Sequence, residues 1–273
     1  MDIRSILVNV DLDVANSAAL DYAIDLAVKF NADLVGVAAE EPNLAFVGMD
    51  GGGAAVDMYA IERAEIEKRL DAARAQFEAK IPKGTAARWY PYVAGQARAV
   101  LDRATGADLI VTASRTTSTF SGQQVVDLGE LVLASGRPVI DVAAGAGKAK
   151  FETIVIAWKP TREARRAVAD ALPFLRLARS VTAITLSEGD PAAEKQSLDD
   201  LVAWLTRHGV SAKADLEMNE EGIIDVIESI ARAQKADLLV AGGYGHSRMR
   251  EWFFGGMTRN LLGANTLNRL FAN

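Results

Sequence analysis

Near its C-terminal end the chain reads Asp237-Leu238-Leu239-Val240-Ala241-Gly242-Gly243-Tyr244-Gly245, a short apolar run that opens into a glycine-rich loop. The same plan occurs earlier, where Asp108-Leu109-Ile110-Val111 is followed by Thr112-Ala113-Ser114-Arg115-Thr116. A short apolar run bounded by polar residues is typical of a strand buried on both faces of a parallel sheet. We therefore infer two copies of one structural unit, of which only the second has glycines directly after this strand.

The two copies extend along the whole chain as alternating strands and helices. Copy one begins with Ile6–Val10 and copy two with Ile154–Trp158, and a helical apolar pattern follows each at the same distance. This alternation indicates parallel strands with helices on both faces. We predict an α/β, Rossmann-like fold of two tandem open parallel five-stranded sheets, with domains at residues 1–145 and 151–273. An insertion in copy one, Pro42–Val56, is predicted to be a surface loop because it contains three consecutive glycines.

Composition limits the classes of function. The chain has 273 residues and no cysteine, so it can bury two cores, and it has no disulfide or thiolate metal site. A net charge of -6 without a basic stripe argues against binding to nucleic acid. The first residues lack the features of a signal peptide, and no apolar run reaches the roughly 18 residues of a membrane span. We therefore expect a cytoplasmic protein that binds neither nucleic acid nor a membrane.

The glycines of the second copy have a regular spacing: Gly242, two residues, Gly245, nine residues, then Gly255. In an open parallel sheet, ligands bind beyond the carboxyl ends of the strands, where the strand order reverses. Glycines allow close approach of the backbone, and free amides at the start of the next helix attract anions. The spacing fits a phosphate site, to which Thr258 would add a hydroxyl. It equally allows Gly242 and Gly245 to be turn formers and Gly255 to be a helix-packing contact.

This spacing, between a strand that begins with Asp-Leu and a helix, resembles the ATP-binding signature of the universal stress protein family. Ile6–Asp11 and Ala18–Ala23 are similar to that family's first strand and helix, so the resemblance covers essentially the whole chain as a tandem two-domain member. It implies an adenine nucleotide α-hydrolase-like fold and a stress-response regulator whose C-terminal loop binds ATP, with or without Mg²⁺. The nucleotide-binding residues that the resemblance implies are Gly242, Gly245, His246, Gly255, Gly256, Met257, Thr258, Ala157 and Lys159.

Neither copy matches the family pattern in full. In copy two, Lys159 stands where the family has an aspartate near the adenine, and Gly256 replaces a serine or threonine. Copy one keeps the aspartate as Asp11, a weaker nucleotide-binding candidate, but has Ala113 and Thr116 in place of two glycines. A triphosphate accepts many amide hydrogen bonds, whereas the aspartate adds one or two contacts worth roughly 1.5 to 3 kcal/mol each. Because loss of the loop is the larger defect, we predict that the C-terminal domain binds ATP and that the N-terminal domain is structural.

Three side chains near the predicted site each have two interpretations. Lys159 either meets a phosphate or is a solvated residue at a strand end, and Trp158 either stacks on a base or packs in the core. His246 either transfers a proton or lies on the surface. In each case we predict the second. Since no nucleophile, base and orienting acid come together in the sequence, we predict no catalytic residue and no metal ligand.

Two other functions stay open: slow ATP hydrolysis by the same loop, and a scaffold that binds no nucleotide. The resemblance also implies that the last strands of the two copies, Pro138–Val142 and Leu267–Ala272, pair antiparallel. One chain would then imitate a homodimer. The partners that we expect are an adenine nucleotide, an unidentified protein and, beyond this internal pseudo-dimer, a second copy of the chain.

Overall fold

The structure is a computed structural model that describes residues 2–12, 18–42, 52–113, 126–187, 189–218, 223–243 and 267–273. Strands and helices alternate along these ranges. In chain order they are β1 (Ser5–Asn9), α1 (Ala18–Phe30), β2 (Asp33–Ala39), α2 (Gly52–Lys80), β3 (Ala87–Tyr92), α3 (Gln96–Ala104), β4 (Leu109–Ala113), α4 (Leu128–Ala134), β5 (Val139–Val142), β6 (Thr153–Ala157), α5 (Arg162–Leu175), β7 (Ser180–Ser187), α6 (Pro191–Arg207), β8 (Ala212–Met218), α7 (Ile223–Ala233), β9 (Leu238–Gly242) and β10 (Asn268–Ala272).

The strands form one continuous sheet in the order β3-β2-β1-β4-β5-β10-β9-β6-β7-β8. Neighbouring strands are parallel within β1–β5 and within β6–β10. The two groups meet at β5 and β10, which are antiparallel, with Ile140 opposite Leu270. The predicted α/β class is confirmed, and the last strands pair as the resemblance implied. The two five-stranded sheets are thus halves of a single ten-stranded sheet.

Helices cover both faces of the sheet because its central strands are apolar on both sides. Residues 6–8 of β1 are fully buried, as are residues 154–156 of β6. On one face, α1, α2, α5 and α6 contribute to a core that runs through both halves of the sheet. On the other face, α3 and α4 pack on the first half, and α7 packs on the second. In the described part of the chain, no helix combines the length and apolarity that crossing a membrane requires.

The Asp-Leu pair that opens β4 and β9 joins each of these strands to its neighbour. Asp108 accepts hydrogen bonds from the amides of Arg4 and Ser5 at 2.8 and 3.0 Å, which fixes the start of β1. Asp237 accepts from the amides of Glu152 and Thr153 at 2.8 and 2.9 Å, which fixes the start of β6. The repeated aspartate therefore satisfies backbone donors at the amino edge of the sheet.

The prediction that the insertion of copy one is a loop up to Val56 is wrong at its end, because α2 already begins at Gly52. Amide groups in the first turn of a helix have no partner within the helix, so glycine is tolerated there, and Ala54 and Ala55 favour the helical conformation. Residues 43–51 of the insertion lie outside the described residues. Helix α2 therefore includes residues 52–56 of the predicted loop.

The segment between β5 and β6, residues 143–152, begins with a tight turn. The amide of Ala146 donates to the carbonyl of Ala143 at 3.0 Å, and Gly145 has a φ of +72°, which favours glycine. The amide of Ala149 donates to the Asp25 carboxylate at 3.1 Å. The connection between the two copies is thus anchored to α1.

Candidate functional site

The predicted site residues that the structure describes lie at the carboxyl ends of β6 and β9. These strands are neighbours, with Ala157 opposite Ala241, so Gly242 and Lys159 follow close to each other along the same edge. The strand order reverses here, because β7 and β8 continue on one side of β6, and β9 and β10 lie on the other. A crevice at such a reversal is where α/β sheets of this kind bind ligands. The structure therefore brings together three of the predicted residues: Ala157, Lys159 and Gly242.

Gly242 is needed by the packing of α5. A Cβ atom added to this glycine would lie 2.4 Å from the amide nitrogen of Ala164 and 2.8 Å from its Cα. These are backbone atoms of the first turn of α5, which cannot rotate away as a side-chain end could. The glycine thus lets the helix approach the end of β9. This packing role differs from both roles predicted from the sequence, a turn former and a phosphate contact.

Gly243 joins the loop to the other half of the molecule. Its amide donates to the carbonyl of Ala272 at 2.8 Å, and an added Cβ would lie 2.4 Å from Cγ1 of Val132 in α4. Gly242 and Gly243 therefore serve close packing on opposite faces of the sheet. The sequence alone showed the glycines but not these neighbours, since Val132 and Ala272 are distant in the chain.

The side chains after β6 point in different directions. Trp158 is buried, and its indole Nε1 donates to Oγ of Ser197 at 3.1 Å in α6, so it packs in the core as predicted. Lys159 is exposed at the strand end. An ammonium group in this position can interact with a bound anion while remaining hydrated.

The amino end of α5 already holds a negative charge. Oγ1 of Thr161 accepts a hydrogen bond from the Ala164 amide at 3.2 Å and caps the helix. Glu163 has a side chain that is only 15% exposed, and its pKa is lowered chiefly by a hydrogen bond from its own backbone amide, with further contributions from Thr161 and Arg162. A carboxylate at a helix amino terminus is stabilised by the free amides and by the helix dipole. This end of α5 is consequently not an open anion site, which the sequence did not reveal.

The first half of the molecule has different side chains at the corresponding ends of its strands β1 and β4. Asn9 and Thr112 occupy the positions of Ala157 and Ala241, both are buried, and Nδ2 of Asn9 lies 3.5 Å from Oγ1 of Thr112. Oδ1 of Asn9 has no hydrogen-bond partner in the described parts of the chain. Asp11 follows on the same edge and is half-buried. The crevice of the first half thus has polar side chains at its base, where the second half has two alanines.

The other predicted residues lie outside the described residues. They are Gly245, His246, Gly255, Gly256, Met257 and Thr258. Their assignment as nucleotide-binding residues stays a prediction, as does the surface position of His246.

A second depression, of about 420 Å³, opens near the amino ends of the C-terminal strands. Thr153, Ser180 and Thr182 line it together with Lys213 and Asp215 of β8. It is on the opposite edge of the sheet from Gly242, so it does not form part of the predicted site.

Comparison with solved structures shows the same fold over the whole chain. A universal stress protein from Archaeoglobus fulgidus DSM 4304 superimposes with a TM-score of 0.67 at 17% identity, covering 98% of this chain and 96% of that one. A functionally unknown protein from Pseudomonas aeruginosa PAO1 superimposes with a TM-score of 0.60 at 16% identity, covering 99% and 92%. Both cover both halves of the sheet, as a tandem arrangement requires. Among curated proteins, none matches this chain by sequence.

The family assignment comes from the first copy. The residues that a protein-family model matches are 2–140, about half of the chain, and this range includes β1 to β4 and the first half of β5. The first copy is the one in which two motif glycines are replaced by Ala113 and Thr116, so the match does not depend on the glycine loop. Together with the fold, it shows that the chain belongs to the universal stress protein family.

Proposed function

We propose that this chain is a stress-response regulator that binds ATP in the crevice between β6 and β9, and that the first half of the molecule is structural. The observation that carries this proposal is the difference between the two crevices. At matching positions the first half has buried Asn9 and Thr112, and the second has Ala157 and Ala241. We infer that the smaller side chains leave room beside the reversal of strand order, which is where a ligand is expected in this fold.

The contacts to phosphate are assigned to the loop after Gly243. Thr161 and Glu163 already occupy the amino end of α5, so its amides are not free to bind a polyanion. The loop has Gly245, Gly255 and Gly256, whose amides can approach phosphate oxygens without obstruction by side chains. Lys159 and Arg162 are exposed near the same edge and favour the approach of a negatively charged ligand.

The first test identifies the ligand directly. The protein is purified without added nucleotide and denatured, and the released small molecules are identified by mass spectrometry. Isothermal titration with ATP and Mg²⁺ then measures affinity, with ADP as a competitor. We expect heat of binding and competition by ADP. An absence of both would contradict ATP binding and favour the scaffold function.

A pair of matched variants locates the site. Gly245→Val introduces a branched side chain into the predicted phosphate loop, and Thr116→Val changes the corresponding position of the first half. We expect Gly245→Val to weaken ATP binding at least about tenfold, which corresponds to ~1.4 kcal/mol, and Thr116→Val to leave it unchanged. The reverse result would place the site in the first half. If the natural protein releases phosphate from ATP and Gly245→Val abolishes this release, the loop also hydrolyses ATP.

A further inference from the structure

Charged side chains cross the junction between the two halves of the sheet. Asp141 of β5 is fully buried, and one of its oxygens lies 3.9 Å from Nη1 of Arg269, the residue opposite it on β10. Nη2 of Arg269 lies 3.1 Å from Glu228 of α7, and Glu228 also accepts from Nη2 of Arg232 at 3.0 Å. The charges therefore alternate in sign from the first half of the molecule into the second.

This ionic arrangement breaks the symmetry of the junction. Ile140 faces Leu270, and on either side of this pair Val139 faces Phe271 and Asp141 faces Arg269. A two-fold rotation about the central pair would place Asp141 at the position of Phe271 and Val139 at the position of Arg269. The pair of opposite charges consequently occurs once at the junction, whereas a junction of two identical halves would contain every pair twice.

We propose that Asp141 and Arg269 make the junction selective, so that β5 pairs with β10 and not with the β5 strand of another chain. If two β5 strands paired, each buried Asp141 would face Val139 and lose Arg269. If two β10 strands paired, each Arg269 would face Phe271 but keep Glu228, which belongs to its own half. Pairing of two first halves is therefore the most strongly disfavoured combination. This proposal does not depend on nucleotide binding.

The selectivity of this pairing follows from the energetics of buried charges, in which forming a pair and losing one partner have unequal effects. A buried ion pair contributes little net stability compared with apolar side chains of similar volume, but removal of one partner leaves the other charge desolvated and is strongly unfavourable. Such a pair thus acts mainly against wrong partners. Exposed strand edges otherwise pair readily with the edges of other chains, and β5 and β10 become edges when the two halves separate.

A cysteine at the central position reports which strands pair. The chain has no cysteine, so Ile140→Cys introduces a single thiol. Because residue 140 lies at the centre of the junction, it would face its own counterpart if two β5 strands paired. Directly opposed residues on antiparallel strands are close enough for a disulfide. Pairing between first halves is thereby converted into a covalent dimer, which is seen on a non-reducing gel.

The reporter is placed in two backgrounds, the natural junction and a charge-free junction with Asp141→Leu and Arg269→Met. Both proteins are unfolded, refolded at about 0.5 mM and slowly oxidised, since a short tether gives the natural partner an effective concentration in the millimolar range. We expect at least about tenfold more covalent dimer with the charge-free junction. Equal dimer in both backgrounds, or none in either, would overturn the proposal.

Two controls test the geometry of the disulfide and the fold of the charge-free protein. Ile140→Cys together with Leu270→Cys should form a disulfide within the chain, which shows that the geometry permits the bond. Circular dichroism and urea unfolding show whether the charge-free protein has the native fold. If it does not, Asp141→Asn with Arg269→Gln removes the charges while it keeps polar side chains at both positions, and the same comparison of dimer yields decides the question.

Discussion

Tyr22 carries a hydroxyl group that the protein interior leaves unused. The residue has no exposed surface, and its ring packs edge-on against Phe151 with centroids 6.4 Å apart. The hydroxyl has no hydrogen-bond partner in the ranges that the structure describes, and burial raises its pKa. A buried polar group without a partner costs about 1 to 3 kcal/mol of desolvation. Removal of the hydroxyl oxygen of Tyr22 should therefore stabilise the folded protein.

We expect Tyr22→Phe to raise the free energy of unfolding by about 1 kcal/mol, because the ring contact stays and the desolvated hydroxyl is removed. Urea unfolding measures the change as a shift of the midpoint at constant slope. Tyr92→Phe is the matched control, since Nε of Arg103 donates to its hydroxyl at 2.5 Å, and this variant should bring no gain. A loss of stability in Tyr22→Phe would show that the hydroxyl is hydrogen-bonded, for instance to a buried water.

Gly242 has no space for a side chain, because the backbone of α5 lies against it. Gly242→Ala places a methyl group against the backbone of Ala164, so we expect a loss of about 1 to 3 kcal/mol from overpacking. The control is the corresponding residue of the first half, where Ala113→Gly should cost only about 0.5 to 1 kcal/mol through backbone entropy. Urea unfolding compares the two. If Gly242→Ala proved neutral, close packing of α5 would not be the reason for this glycine.

At the scale of elements, α5 contains an acid whose burial opposes its ionisation. Asp170 has a side chain that is 7% exposed and accepts a hydrogen bond from Nε of Arg166 at 2.8 Å. Burial raises its pKa above the ordinary value, although the nearby Arg166 acts in the opposite direction. The folded state therefore binds the proton more tightly than the unfolded chain. At neutral pH the ionised Asp170 therefore lowers the free energy of unfolding. This loss is recovered as the pH falls and the carboxylate binds a proton.

We expect Asp170→Asn to stabilise the protein at pH 7, because the amide has no charge to desolvate. The advantage should decrease as the pH falls from the raised pKa of the folded state to the ordinary value near 3.8, below which both states bind the proton. Urea midpoints of the two proteins between pH 7 and pH 3 measure this difference. An advantage that grows with acidity would mean that the ion pair with Arg166 outweighs burial.

Elements could be predicted from the sequence where their pattern is local. Copy one was predicted to begin with the apolar run Ile6–Val10, and β1 covers Ser5–Asn9, because an apolar run with polar ends defines a buried strand. The start of α2 was not predicted, since glycines in a first helical turn resemble those of a loop. The pairing of Asp141 with Arg269 depends on strand register, and no local pattern indicates it. The contact between Gly242 and α5 is equally non-local, so the sequence predicted the motif but not its packing.

At the scale of the molecule, the two halves share one core as well as one sheet. Phe30 of α1 and Phe174 of α5 pack edge to face across the junction at 5.5 Å, and Phe151 lies between Tyr22 and Phe174. The largest apolar cluster contains buried residues from both halves. Separation of the halves would expose this surface and the edges of β5 and β10. We therefore expect the described strands to unfold as one cooperative unit.

Hydrogen exchange tests this cooperativity with a pair of reciprocal core variants. Leu26 of α1 and Leu198 of α6 are fully buried in opposite halves, so replacement of either by alanine should cost about 2 to 5 kcal/mol. If the molecule opens as one unit, each variant lowers the protection of β1 and β6 by the same factor, because exchange of core amides reports global unfolding. If Leu198→Ala instead lowered protection in β6 and left β1 unchanged, the halves would unfold separately, and the shared aromatic cluster would not couple them.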